Sequence, residues 1–149
     1  MSNSKIFLDT NVLIYQAFED FDVAKHTIVK AMFQKLHETY HNFYISSQII
    51  REFIAIATNG TIFKSPLDTD QVILKVNEFE RNFHIVFDTS ESLKILKDLV
   101  KQYHIEKYRV HDANIAATVV ANQIGYLWTF NKKDFKIFNQ VKLLQFEGL

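Results

Sequence analysis

Short β-branched and aromatic runs alternate with longer stretches of helical period along almost the whole chain, and this alternation restricts the fold more than any other feature. Lys5-Ile6-Phe7-Leu8 reads as a strand, ended by the helix-start signal Asp9-Thr10-Asn11, so Val12 to Phe18 is predicted helical. A longer helix is predicted from about Asp22 to Tyr40, with Val29, Phe33, Leu36 and Tyr40 on one face. Phe43 to Ser46 is a second strand, and Ser46 or Ser47 caps a helix whose Ile50, Phe53, Ile54 and Ala57 recur at helical spacing. Asn59-Gly60 closes that helix, Lys64-Ser65-Pro66 is a loop, and Thr69 opens a helix striped by Val72, Val76, Phe79 and Phe83. Ile85-Val86-Phe87 reads as a buried strand, followed from Ser90 or Glu91 by a helix carrying Leu93, Leu96, Val100 and Tyr103. After a polar loop from His104 to Arg109, a helix beginning near Asp112 presents Ala113, Ala116, Ala117 and Val120, small enough to lie close against a sheet. Gly125 ends it, Tyr126 to Thr129 is a strand, and Val141 to Leu144 is the last. Strands separated by helices imply an α/β fold: a mostly parallel central sheet flanked by helices.

A chain of 149 residues, 48% hydrophobic and 23% charged, has the size and the apolar content of a single domain spanning residues 1–149. It contains no Cys, which excludes disulfides and thiolate metal sites. The apolar run Ile6 to Leu8 is too short for a signal peptide, and no later stretch is long enough to span a bilayer. The expectation is a cytoplasmic protein with no membrane partner. Seventeen basic residues face seventeen acidic ones, so the total argues neither for nor against a nucleic-acid partner. Reserving four acids for a metal leaves thirteen against seventeen, a net excess of four positive charges.

In open parallel sheets, sites form at the carboxyl ends of the strands. Asp9 ends the first strand, Glu52 lies in the helix after the second, Asp112 opens a helix, and Asp134 follows the strand ending at Thr129. All four can therefore meet at one edge. Carboxylates placed together repel and raise one another's pKa, an arrangement that makes sense when a divalent cation holds them. Hard cations take oxygen ligands, make water acidic enough to attack, and neutralise charge growing on a phosphoryl group. Four carboxylates with no nucleotide-binding loop fit phosphodiester hydrolysis better than phosphate transfer. Singly, each acid has a plainer explanation: Asp9 or Asp112 as a helix cap, Glu52 as a solvated helix charge, Asp134 as a turn residue.

Taken as an ordered set, Asp9-Thr10-Asn11, Arg51-Glu52-Phe53, His111-Asp112-Ala113-Asn114-Ile115-Ala116-Ala117 and Thr129-Phe130-Asn131-Lys132-Lys133-Asp134-Phe135 resemble a PIN domain, and most of all the VapC-type toxin ribonucleases. The resemblance covers nearly the whole chain. It implies a PIN-like three-layer fold and an Mg2+- or Mn2+-dependent endoribonuclease in which Asp9, Glu52, Asp112 and Asp134 are the metal-holding and catalytic residues. Asn11, Thr129 and Asn131 would orient those carboxylates, and cleavage would leave 5′-phosphate and 3′-hydroxyl ends. It further implies an RNA substrate, a cognate antitoxin that covers the groove, and a homodimer. Trp128-Thr129-Phe130 is bulkier than the family's usual aliphatic-Thr-polar segment, a departure on the substrate side. Arg51, Lys107, Arg109, Lys132, Lys133 and Lys136 lie beside the acids in sequence; Arg51 and Lys132 are the first candidates for RNA phosphate contacts.

Three other assignments compete. His37-Glu38-Thr39-Tyr40-His41 matches the H-E-x-x-H pattern of zinc proteases within a predicted helix, although the longer pattern fails at Tyr44 and Ser47. A dehalogenase-like phosphatase would use Asp9 as nucleophile but needs an Asp where Asn11 stands. The third is a catalytically inactive PIN fold that binds RNA or protein without cutting.

Overall fold

Ile6, Phe7 and Leu8 are wholly buried, which makes β1 (Lys5–Leu8) a central strand rather than an edge. The structure, a computed structural model, describes residues 3–146. After β1 come α1 (Thr10–Ala17), α2 (Val23–Glu38), β2 (Asn42–Ser46), α3 (Ser47–Ala57), α4 (Thr69–Asn82), β3 (His84–Val86) and α5 (Ser90–Tyr103). A 3-10 turn (Lys107–Arg109) then leads into α6 (Val110–Ala121), β4 (Tyr126–Trp128) and α7 (Lys132–Phe135). The strands pair in the order β3-β2-β1-β4, and every pair is parallel. The class is α/β, a four-stranded parallel sheet flanked by helices.

The first three strands step outward in one direction, and β4 then crosses back to the far side of β1. The direction of winding therefore reverses between β1 and β4, and at such a reversal the following loops diverge and leave a crevice at the carboxyl edge. Register places the end of β1 beside the end of β4: Leu8 faces Trp128, and the Asp9 N–H continues the ladder to the Trp128 carbonyl at 3.0 Å.

Several expected elements differ in detail. Val141 to Leu144 forms a single parallel bridge, Leu127 to Leu143, and not a strand; β4 has only three residues and leaves little ladder to extend. The preceding strand is His84–Val86, with Phe87 62% exposed, and β4 stops at Trp128 instead of Thr129. Asp112 is the third residue of α6, not its first. Tyr40 lies beyond the end of α2 with a positive φ and is exposed. In α5 the capping box of Thr89 with Ser92 sets the start, so Ser92 and Leu99 face inward while Leu93 turns to solvent. Ala113, Ala116 and Ala117 are fully buried as expected, and α6 packs against α5; small side chains permit a close approach between two helices. Gly125 precedes β4 where a Cβ would meet the Asn3 side chain at 2.7 Å, so a larger residue there would force Asn3 to shift. Among the described residues no helix is long and apolar enough to cross a membrane.

Candidate active site

The carboxyl ends of β1 and β4 carry polar side chains whose burial demands partners. Asp9 is only 6% exposed. It is also the N-cap of α1: its Oδ1 accepts from the Thr10 N–H at 2.8 Å, while Oδ2 accepts from Thr129 Oγ1 at 2.7 Å across the reversal. Asn11 reaches the same pair more loosely, with Nδ2 at 3.4 Å from both Asp9 Oδ2 and Thr129 Oγ1, and its Oδ1 accepts the Phe130 N–H at 3.2 Å. Asn131 contributes its backbone N–H to Thr129 Oγ1 at 3.0 Å, whereas the sequence suggested a role for its side chain. Burial pushes the Asp9 carboxyl up to about 6; the hydrogen bonds from Thr129 and Thr10 oppose the shift, and the charges of Glu52 and Asp112 add to it.

Glu52 projects from α3, placed at this edge by the N-cap Ser46 at the end of β2. Its Oε1 accepts from Thr10 Oγ1 at 2.7 Å and its Oε2 from Gln48 Nε2 at 2.9 Å. Asp112, in the first turn of α6, pairs at 3.4 Å with Arg109 Nε, a contact by distance without hydrogen-bond alignment. The Asp112 carboxyl is also raised, first by partial burial; Arg109 opposes the shift, and Asp134 and Glu52 add to it. Asp134 sits in the short α7, and its carbonyl accepts from Arg109 Nη2 at 2.7 Å. Asp9, Glu52 and Asp112 thus bear on one another electrostatically, and Asp134 joins them through Asp112.

No three His, Asp or Glu side chains among the described residues close on one point in a metal-holding geometry. The donor chemistry nevertheless fits one kind of ion. The coupled side chains offer only carboxylate oxygens, the donors of a hard cation such as Mg2+, which keeps several of its waters and does not require a closed protein cage. Burial comes first in raising the Asp9 and Asp112 carboxyls and the neighbouring carboxylates add to it, a balance that a bound cation would oppose.

Thr10, Gln48, Asn114 and the pairing role of Arg109 were not singled out from the sequence. Thr10 follows Asp9 directly and Gln48 precedes Glu52 by one helical turn, so adjacency and the i, i+4 spacing were the available signals. Of the basic candidates, Arg51 is exposed on α3, while Lys132 Nζ lies 4.3 Å above the Phe146 ring. The zinc-protease pattern does not survive folding: α2 ends at Glu38, Tyr40 takes a positive φ, and His41 Nδ1 pairs with Thr39 Oγ1 at 2.8 Å. His37 and His41 therefore do not share a helical face.

Comparison with known proteins follows the same lines. The family model of the PIN domain matches residues 6–141. No curated protein sequence matches. Among solved structures, VapBC2 from Rickettsia felis, bound to a DNA fragment from the promoter, superposes with a TM-score of 0.71 at 20% identity over 96% of this chain and 99% of that one. VapBC-1 from nontypeable Haemophilus influenzae gives 0.65 at 19% identity over 95% and 97%. VapC20 of Mycobacterium tuberculosis, described as a sarcin-ricin loop cleaving toxin, gives 0.63 at 13% identity over 92% and 98%. At these identities the likeness is one of fold.

Proposed function

The chain belongs to the PIN-domain family, and from that premise we propose that it is a metal-dependent endoribonuclease, the toxin of a toxin–antitoxin pair. The observation that carries the reading is Asp9: a buried carboxylate held by Thr10 and Thr129 where the sheet reverses, with Glu52 and Asp112 bearing on it. The similarity to two VapBC structures and to VapC20, a sarcin-ricin loop cleaving toxin, supports the biological setting. In this reading Asp9, Glu52, Asp112 and Asp134 hold Mg2+ or Mn2+, and Asn11, Thr129 and Asn131 keep the Asp9 side of the set oriented. When bound, such a cation supplies activation of water and neutralisation of phosphoryl charge. Thr10 and Gln48 aim the Glu52 carboxylate, Thr129 aims that of Asp9, and Arg51 and Lys132 contact RNA phosphates. The protein works in the cytoplasm as one domain and a homodimer, and a cognate antitoxin covers the edge.

The test is incubation of the purified chain with total RNA in Mg2+, Mn2+ or EDTA, followed by mapping of cut ends. The expected outcome is metal-dependent cleavage leaving 5′-phosphates. Asp9→Asn should reduce it by more than about 100-fold, beyond the range usual for residues that merely support a ligand. Retained activity in that variant, or equal activity in EDTA, contradicts the reading. A PIN fold that binds without cutting is favoured by one observation, the open arrangement of the acids with Asp112 drawn to Arg109. RNA retained intact in both metals would select it.

A further inference from the structure

Gln48 is a polar side chain only 4% exposed, and three of the four hydrogen-bonding positions of its amide are used, both donors among them. Its Nε2 donates to Glu52 Oε2 at 2.9 Å and to the His111 carbonyl at 3.0 Å, and its Oε1 accepts from Asn114 Nδ2 at 2.8 Å. The partners fix which way the amide faces, since the flipped amide would set an oxygen against a carboxylate and a carbonyl. Gln48 stands one turn before Glu52 on α3, while His111 and Asn114 flank Asp112 at the start of α6. One side chain therefore grips both a Glu52 oxygen and the backbone that carries Asp112. Two further contacts brace it: Thr10 Oγ1 holds the other Glu52 oxygen at 2.7 Å, and Asn114 Nδ2 also reaches Asp88 Oδ1, after β3, at 3.3 Å.

We propose that Gln48 is a positioning residue that sets the Glu52 carboxylate and the Asp112-bearing turn at a fixed separation, so that both serve one divalent cation. The inference rests on the reading of Glu52 and Asp112 as cation-holding residues. Only a carboxamide of this length meets the requirement. A Glu would place a further negative charge against Glu52, and an apolar residue would leave the His111 carbonyl and the Asn114 amide without their partner.

The test measures the Mn2+ concentration at half-maximal thermal stabilisation of the full chain, for wild type, Gln48→Met, Asn114→Ala, Glu52→Gln, Asp9→Asn and the double variant Gln48→Met/Glu52→Gln. Gln48→Met should raise the midpoint by about 10-fold or more. In the Glu52→Gln background it should add little, because its effect passes through Glu52. Asn114→Ala, which frees the Gln48 carbonyl and Asp88 Oδ1 but leaves the Gln48 bonds to Glu52 and His111, should raise the midpoint by less and decides the matter if Gln48→Met does not fold. A lower metal-free melting temperature with an unchanged midpoint, or an effect fully additive with Glu52→Gln, overturns the proposal. If wild type is stabilised and Asp9→Asn is not, while Gln48→Met keeps the wild-type midpoint, this inference alone falls. Absence of any Mn2+ effect in wild type overturns it together with the reading beneath it.

Discussion

Asp9 and Asp112 bring the same side chain to the same edge of the sheet, but the two halves of that edge hold them differently. On the β1–β4 half, Asp9 is buried and its oxygens are held by the neutral donors Thr10 and Thr129. Among the described residues no Lys, Arg or His forms an ion pair with it. On the α6–α7 half, Asp112 is partly exposed and has Arg109 beside it. The first half is geometrically fixed and electrically uncompensated; the second is compensated and more open. A cation held there, as proposed, would gain most from the uncompensated half and would compete with Arg109 in the other.

The largest consequence is a pH dependence. The folded-state Asp9 carboxyl is raised from 3.8 to about 6, so between these values the folded chain binds more protons than the unfolded one. The stability associated with the neutral group is complete below the lower value, declines as pH rises through the window, and is level above about 6. The loss is on the order of 3 kcal/mol. Asp112 contributes in the same direction. Denaturant titrations of wild type and Asp9→Asn between pH 4 and pH 7 should show a metal-free difference that shifts in favour of the variant as pH rises. A constant difference would remove the distinction between the halves.

A smaller effect sharpens the same contrast. Thr129→Val deletes a donor to the buried carboxylate and should destabilise the fold by roughly 2 kcal/mol, more once Asp9 is ionised. Arg109→Gln acts on a pair whose side chains are 36% and 29% exposed and also removes the Nη2 bond to the Asp134 carbonyl, and it should change stability by roughly 1 kcal/mol. Equal effects in urea unfolding near neutral pH would break the comparison. The smallest effect belongs outside the edge altogether. His37→Ala with His41→Ala should leave RNA cleavage, its metal dependence and stability within about 0.5 kcal/mol of wild type, as for surface sites generally. Loss of activity with stoichiometric zinc in the wild type would revive the protease assignment.

The parts of this molecule that were legible in the sequence are those governed by local rules. The apolar run Ile6–Leu8 followed by Asp9-Thr10-Asn11 carries both a strand and its helix cap, and the structure contains both. Of the stripe expected on α5, Leu96, Val100 and Tyr103 pack against the core, whereas Leu93 turns to solvent because the Thr89–Ser92 box buries a serine in the first turn. The bridge at Leu143 resembles a strand by composition, yet its length is set by the three-residue partner β4. Thr10, Gln48 and Asn114 were illegible for a different reason. Each is an ordinary polar residue in its local context, and its part in the edge depends on partners 42 to 66 positions away. The acids stand out because clustering charge needs a cause, whereas the neutral groups that aim them leave no such mark.

The central claim is that both halves of the edge act as one cation site, and calorimetric titration of Mn2+ into wild type, Asp9→Asn and Asp112→Asn tests it most directly. Saturable binding is expected in wild type, and its loss, or weakening by at least about 10-fold, in either variant. Wild-type affinity in Asp112→Asn, with binding lost only in Asp9→Asn, would contradict it by confining the site to the β1–β4 half.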